Sequence, residues 1–377
     1  MTNTSNYCAL PFRGMQIYTD GTLKPCCMYS QHDHVGKLYD ISEYTEWWTA
    51  GLTNLRNNFV NQKIPKSCSL CFNKEFQNSG VRVNVNNWLV NNQVDYSTSQ
   101  TPEHLDITFG NVCNLKCIMC SSLSSSRVET EYQQHKSKYN QIGITQPIMP
   151  KLHKWWEDPK ILDNVLQIIS KARYVNFSGG EPLLTTQLID MLKVIPKNCQ
   201  VEINTNLTKL SDEHIDCLNK FDLARISISL DGIGQHHEYI RHESNWNVIK
   251  NNIDRLFSAK IKNLEIAFSY ILQHTSIYTF PDFWHYMKNF DNVIRISEVV
   301  PNTIKKNLMT INSVHPDDVR KFKKWLISNP NRYSQTLETW LDNYKFDSNS
   351  LEEFKQYVAT LDQIRGCNFK ETFQPCW

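Results

Sequence analysis

From residue 104 onward the chain alternates short apolar runs with longer amphipathic stretches, and nothing else in the sequence constrains the fold as much. "HLDITF" (104–109), "YVNFS" (174–178), "VEINT" (201–205), "RISISL" (225–230), "LEIAFSYIL" (264–272) and "VIRISEV" (293–299) read as strands. Most gaps between them suit one helix and two loops, the pattern of repeated βα units around a parallel sheet. These strands predict an α/β fold, either an incomplete barrel or a doubly wound sheet. The gap between the first two is too long for one crossover. Its excess, roughly 121–156, is expected to be helix plus a covering loop at the strand ends.

The cysteines sharpen this reading. Directly after the first strand, "VCNLKCIMCSS" places Cys113, Cys117 and Cys120 in a C-x3-C-x2-C spacing. Active sites of βα barrels lie at this end of the strands. Tight thiolate runs hold iron–sulfur clusters, usually through four ligands, so three would leave one iron open for substrate. Zinc is the competing reading, but it usually takes a second paired ligand set at a distance. The second strand runs into "FSGGEPLL". Gly179 and Gly180 allow a close backbone approach, and Glu181 offers an anionic acceptor suited to an amino group. Cys199 and Cys217 read as buried, unreactive thiols.

At 377 residues the chain can build a large core and more than one domain. Lys+Arg number 40 against 38 Asp+Glu, and no basic block marks a nucleic-acid footprint. No apolar run is long enough to span a bilayer, and "MTNTSNYCALPF" lacks the charged and apolar regions of a secretory signal. The expected compartment is the cytoplasm, where thiols stay reduced and metal ligation is favoured over disulfides.

Residues 1 to about 80 carry five cysteines among turn residues. "MQIYTDGTLKPCC" reads as a hairpin turning at Asp20-Gly21. "SEYTEWWTAGLTNLRNNFV" reads as a helix capped by Ser42, and the Asn-rich stretch 84–102 as a linker. Two helices are expected late in the chain, one from Pro316, the other capped by Ser350 and stopped by Gly366.

Cys113, Cys117 and Cys120, followed one βα unit later by Gly179, Gly180 and Glu181, resemble the motifs of radical S-adenosylmethionine (SAM) enzymes. The resemblance implies a partial (βα)6 TIM-type barrel and a [4Fe-4S] cluster whose open iron chelates the amino and carboxylate groups of SAM. It further implies reductive cleavage of the sulfonium C–S bond to a 5′-deoxyadenosyl radical that abstracts hydrogen from a substrate. At later strand ends it implies Asn206 as a polar contact and Ser229 and Asp231 at the ribose or carboxylate. Arg241 would pair with the carboxylate, for which a bidentate guanidinium is well suited. Met119 stands where many members carry an aromatic residue, and a thioether also packs on adenine.

A second resemblance lies upstream. Cys8, Gly21, Cys26 and the C-x2-C pair Cys68 and Cys71, with "PF…IYTDGTLKPCC", "HVGKLYD" and "EWW" between, are similar to the SPASM or twitch modules of these enzymes. Here the module would precede the barrel. It implies one auxiliary [4Fe-4S] cluster on Cys8, Cys26, Cys68 and Cys71, with Cys27 the rival of Cys26 and a zinc knuckle the competing reading. Cys367 and Cys376 fit no ligand pattern. The expected organisation is a cysteine-rich β-hairpin/α domain over 1–95, the barrel over 100–300 and a C-terminal helical extension over 301–377. The expected function is radical modification of a ribosomally made peptide, with a flavodoxin or ferredoxin as electron donor. A small metabolite or nucleotide is the alternative substrate. A non-catalytic iron–sulfur electron carrier or scaffold is the alternative class, and it would have no need of the Gly-Gly-Glu turn. Neither a membrane nor a nucleic-acid partner is expected.

Overall fold

Alternate strand positions carry opposite chemistry, and this two-residue period builds the central sheet. The structure, a computed structural model, describes residues 7–29, 36–38, 45–72, 80–91, 99–147, 154–288, 290, 293–298 and 308–373. Three short strands open the chain: β1 (Gly14–Ile17), β2 (Thr22–Lys24) and β3 (Gly36–Lys37). The expected strands follow as β4 (His104–Phe109), β6 (Tyr174–Gly179), β7 (Gln200–Thr205), β8 (Leu223–Ser229), β10 (Leu264–Leu272) and β11 (Val293–Glu298). A separate antiparallel ribbon pairs β5 (Lys116–Cys117) with β9 (Arg241–His242).

Among the described residues the main sheet has the order β11-β10-β8-β7-β6-β4-β1-β2-β3. From β4 to β11 every pairing is parallel. The N-terminal hairpin does not stand apart. β1 joins β4 in parallel, with Gln16 opposite Asp106, and β2 and β3 continue antiparallel. Its turn forms as expected: Gly21 takes φ 78°, and the Thr22 amide donates to Asp20 Oδ1 at 3.0 Å.

One face of the sheet is apolar. Ile107, Phe177, Ile203, Ile226 and Phe268 are fully buried under the crossover helices. These are α6 (Pro159–Ile169), α7 (Gln187–Val194), α8 (Asp212–Leu218), α10 (Trp246–Ser258) and α11 (Ser276–Met287). The opposite face is polar. Strand register lines up Gln16, Asp106, Asn176, Glu202, Arg225 and Glu265 in one row across six strands. Asn176 Nδ2 donates to Asp106 Oδ1 at 3.0 Å, Asn204 Nδ2 donates to Asn176 Oδ1 at 2.7 Å, and Arg225 pairs with both Glu202 and Glu265.

The remaining helices are α1 (Leu10–Arg13), α2 (Thr53–Val60), α3 (Val81–Asn91), α4 (Ser126–Gln134), α5 (Lys136–Gln141), α9 (Gly234–Ile240), α12 (Pro316–Ser328), α13 (Ser334–Asp342), α14 (Ser348–Arg365) and α15 (Phe369–Thr372). Two expectations need correction. The segment read as a linker from residue 84 is helical through Asn91, because Val85 and Leu89 recur at helical spacing and bury in the core. The cap of α14 is Asp347, which accepts from the Asn349 amide, while the Ser350 hydroxyl donates to Asp347. A π-turn at Trp47–Gly51 precedes α2, and the expected cap Ser42 lies outside the described residues. The excess after the three-cysteine loop holds α4, α5 and a 3-10 turn at Trp155–Glu157. Gly366 stops α14 in the left-handed region, φ 65°, as expected. No helix among the described residues is long and apolar enough to cross a membrane.

Candidate active site

The loop bearing Cys113, Cys117 and Cys120 leaves the carboxyl end of β4 and is fixed at its base. Asn111 is fully buried there; its Nδ2 donates to the Ser122 carbonyl at 2.7 Å and to Glu129 Oε2 at 3.0 Å. Ser125 caps α4 and also donates through Oγ to the Leu115 carbonyl at 2.6 Å. In the middle of the loop, β5 pairs Cys117 with Arg241 of β9, and the Ile118 amide donates to the Ile240 carbonyl at 2.8 Å.

The glycine turn packs on this loop. The Gly180 amide donates to the Gly110 carbonyl at 3.1 Å, and the Glu181 amide donates to the Val112 carbonyl at 2.8 Å. A Cβ on Gly180 would stand 2.1 Å from the Val112 carbonyl oxygen; one on Gly179, which takes φ +126°, would stand 2.7 Å from the Phe109 amide nitrogen. Both glycines therefore let two strand-end backbones meet, next to the first cysteine. Gly180→Ala is expected to lower stability by about 2 kcal/mol or more, since a backbone atom cannot rotate out of the overlap. Thermal unfolding measures this; an unchanged midpoint would refute the close approach.

Glu181 is buried and bridges β6 to the end of β7. Thr205 Oγ1 donates to its Oε1 at 2.6 Å, the Asn206 amide to its Oε2 at 2.6 Å, and the Leu183 amide to Oε1 at 3.1 Å. Burial pushes its carboxyl up to about 7 despite these donors. Asn206 Nδ2 donates to Asn114 Oδ1 at 3.1 Å and lies 3.9 Å from Cys113 Sγ. Asn114 and Thr208 complete this small network, with Asn114 Nδ2 donating to Thr208 Oγ1 at 2.8 Å. No motif marks Thr208, and Asn114 is marked only by its place inside the C-x3-C spacing.

Asp231 and Arg241 meet each other. Arg241 Nε donates to Asp231 Oδ2 at 2.8 Å, its Nη2 lies 2.7 Å from the same oxygen, and its Nη1 donates toward Cys117 Sγ at 3.8 Å. Asp231 Oδ1 also accepts from the Ile271 amide at 2.8 Å. The Arg241 guanidinium thus sits between a buried carboxylate and the second cysteine. Ser229 lies on the polar face of β8, opposite Ser269. Met119 is buried in the core. Burial pushes the Cys113 thiol up to about 12 and raises Cys117 and Cys120 as well, so loading a metal centre must displace protons from this loop.

The chain after residue 300 reaches the same loop. Tyr357 of α14 donates from its hydroxyl to the Ile118 carbonyl, between Cys117 and Cys120, at 2.6 Å. Arg365 forms a two-pronged pair with Glu131 of α4: Nη2 donates to Oε1 at 2.8 Å and Nε to Oε2 at 3.1 Å. Both side chains are nearly fully buried, 2% and 3% exposed. Tyr139 donates to Glu131 Oε1 at 2.7 Å, and Lys116, next to Cys117, lies 3.2 Å from Oε2. Cys367 donates toward Asp362 Oδ1 at 3.2 Å; Cys376 lies outside the described residues.

The N-terminal cysteines gather separately. Cys8, Cys26, Cys68 and Cys71 line one small cavity, closed by Leu10, Phe72, Val81 and Arg82 among others. Cys27 is exposed beside it. Among the described residues no three His, Cys, Asp or Glu side chains are spaced to hold a single metal ion. The four N-terminal cysteines share one cavity and the other three share one short loop; both are sets of soft sulfur donors, which suit an iron–sulfur cluster once deprotonated.

The radical SAM superfamily profile matches residues 107–283. The chain is 26% identical over 209 residues to the radical SAM cyclopropyl synthase TigE of Paramaledivibacter caminithermalis, covering 54% of this chain and 41% of that protein. It is 25% identical over 192 residues to a probable GTP 3′,8-cyclase of Methanococcus maripaludis, covering 50% and 56%. The chain thus spans about half the length of these curated relatives. Among solved structures it resembles anSMEcpe with bound AdoMet (TM-score 0.44, 16% identity, 63% of this chain and 62% of that one). It also resembles Streptococcus suis SuiB bound to precursor peptide SuiA (TM-score 0.40, 13% identity, 96% and 77%).

Proposed function

The chain carries a radical SAM domain over residues 107–283, and on that premise we propose that it cleaves SAM reductively and modifies a ribosomally made peptide. The observation that carries this reading is the convergence at the carboxyl ends of the strands. The three-cysteine loop, the Gly-Gly-Glu turn, Asn206 and the Asp231–Arg241 pair all meet there. When bound, a [4Fe-4S] cluster and SAM supply homolytic C–S cleavage and a hydrogen-abstracting 5′-deoxyadenosyl radical.

In this reading Cys113, Cys117 and Cys120 hold the cluster. Gly179 and Gly180 seat the Glu181 turn against the cysteine loop, and Glu181, Asn206 and Ser229 face SAM. Asp231 fixes the Arg241 guanidinium beside Cys117, where its positive charge offsets thiolate charge. Cys8, Cys26, Cys68 and Cys71 hold one auxiliary [4Fe-4S] cluster; their common cavity supports this set over one containing Cys27. The peptide substrate is supported by that auxiliary module, which resembles those of peptide-modifying enzymes, an argument by analogy. A nucleotide is the second reading, supported by the similarity to proteins named GTP 3′,8-cyclase. A flavodoxin or ferredoxin in the cytoplasm would donate the electron.

The test is direct. Protein reconstituted anaerobically with iron and sulfide, then given dithionite and SAM, is expected to release 5′-deoxyadenosine. If protein carrying at least about four irons releases none, the enzyme reading fails.

A further inference from the structure

Below the strand ends, the polar face of the sheet opens into a cavity of about 620 Å3, within the usual range for ligand pockets of roughly 300–1,000 Å3. Its floor is His104 of β4, Tyr174 and Asn176 of β6, Gln200, Glu202 and Asn204 of β7, and Arg225 of β8. Its roof is one face of α3, Val81, Asn84, Val85 and Trp88, at the i, i+3, i+4, i+7 spacing of a single helical stripe. We propose that this cavity seats an extended segment of the peptide substrate, its apolar side against α3 and its backbone amides on the floor.

Three observations favour that occupant. First, the floor presents open amides. Asn204 is oriented by its Nδ2 bond to Asn176, and its Oδ1 has no partner among the described residues. The side chains of Gln200 and Asn84 make no hydrogen bond among the described residues. A primary amide both donates and accepts, which matches a peptide group. Second, charge disfavours a phosphorylated ligand. The cavity's guanidinium, Arg225, is already bonded to Glu202 and Glu265, and the floor carries Glu202 with Asp106 beneath Asn176. A polyphosphate would meet carboxylates without a free cation. Third, the position is right. Gln200 to Asn204 spans about 13 Å at ~3.3 Å per residue, and Asn204 lies two residues, about 7 Å along the strand, below Asn206. A segment continuing about two residues beyond the cavity would therefore reach Asn206, which lies beside Cys113. Val81 also lines the four-cysteine cavity, so one helix separates the seat from the N-terminal thiols.

This proposal rests on the peptide reading above, and its experiment scores binding without SAM cleavage so that the two fail separately. A random twelve-residue peptide library is selected by mRNA display against the full, iron-reconstituted chain, with GTP as a separate ligand. Selected peptides are expected to bind the Gln200→Ala, Asn204→Ala variant at least tenfold more weakly. Selection against Gln200→Glu is expected to shift the pool toward Lys and Arg, a gained preference that a misfolded variant cannot show. An empty selection, equal binding to the double variant, an unshifted pool with Gln200→Glu, or GTP binding lost on Asn204→Ala would each overturn the proposal. A chain that binds such peptides yet forms no 5′-deoxyadenosine keeps the peptide seat and loses the enzymatic reading.

Discussion

Arg365→Ala is expected to cost about 3–5 kcal/mol of stability, because it strands a buried carboxylate. The partner, Glu131, is 3% exposed and has Tyr139 and Lys116 as its other contacts. Burial alone would raise the Glu131 carboxyl, but the Arg365 hydrogen bonds and charge overcome it and hold the group at about 2 against an ordinary 4.5. The folded value lies below the unfolded one. The stabilisation is therefore present in full above about pH 4.5 and is lost as pH falls through about 2, a change of ~3 kcal/mol. Urea unfolding across pH 2–7 should show that acid-dependent loss in the parent, and the loss should be clearly smaller in Arg365→Ala. Equal slopes in the two proteins would remove this pair from the stability of the fold. Because Lys116 and Tyr357 connect the same helices to the cysteine loop, iron retention should fall in parallel.

The cysteine groups should separate by function. The parent protein is expected to hold about eight irons as two four-iron clusters. Cys117→Ala should lose about four of them and all formation of 5′-deoxyadenosine. The Cys68→Ala, Cys71→Ala double variant should also lose about four, yet still release 5′-deoxyadenosine slowly while yielding no modified product. Loss of a metal site can unfold a small module, so solubility and the remaining irons are measured first. A double variant that turns substrate over at the parental rate would reduce the N-terminal module to a structural role. Zinc at full occupancy there would do the same.

The strands of the parallel sheet were legible because their two faces differ in kind: Leu105, Ile107 and Phe109 alternate with Asp106 and Thr108, and the period of two survives in the sequence. The cysteine and glycine motifs were legible because each is local. α3 was not, because four asparagines dilute its apolar stripe, and only burial of Val85 and Leu89 decides the matter. The pairing of β1 with β4 joins residues 90 apart, as Gln16 and Asp106 show, and no periodicity encodes such a partner. The same holds for Asn114 with Thr208, and for Asp231 with Arg241, which the resemblance implied as separate cofactor contacts and the structure pairs with each other. A bidentate arginine looks identical in sequence whether its carboxylate is a ligand's or the chain's own.

Tyr357 is made 239 residues after Ile118, and Arg365 is made 234 residues after Glu131. At ribosomal rates of ~5–20 residues per second, the second anchor of the cysteine loop emerges roughly ten to fifty seconds after the loop itself. Throughout that interval the loop is held by Asn111 and Ser125, then by the glycine turn, Asn206 and Thr208 and, once β9 has appeared, the ribbon to Ile240, but not by α14. Cofactor delivery to the nascent chain meets an open, partly anchored loop, whereas delivery to the finished chain must work against a buried ion pair and the Tyr357 hydrogen bond. Iron–sulfur insertion should accordingly be most efficient during translation, and refolded protein should load more slowly than protein matured as it is made.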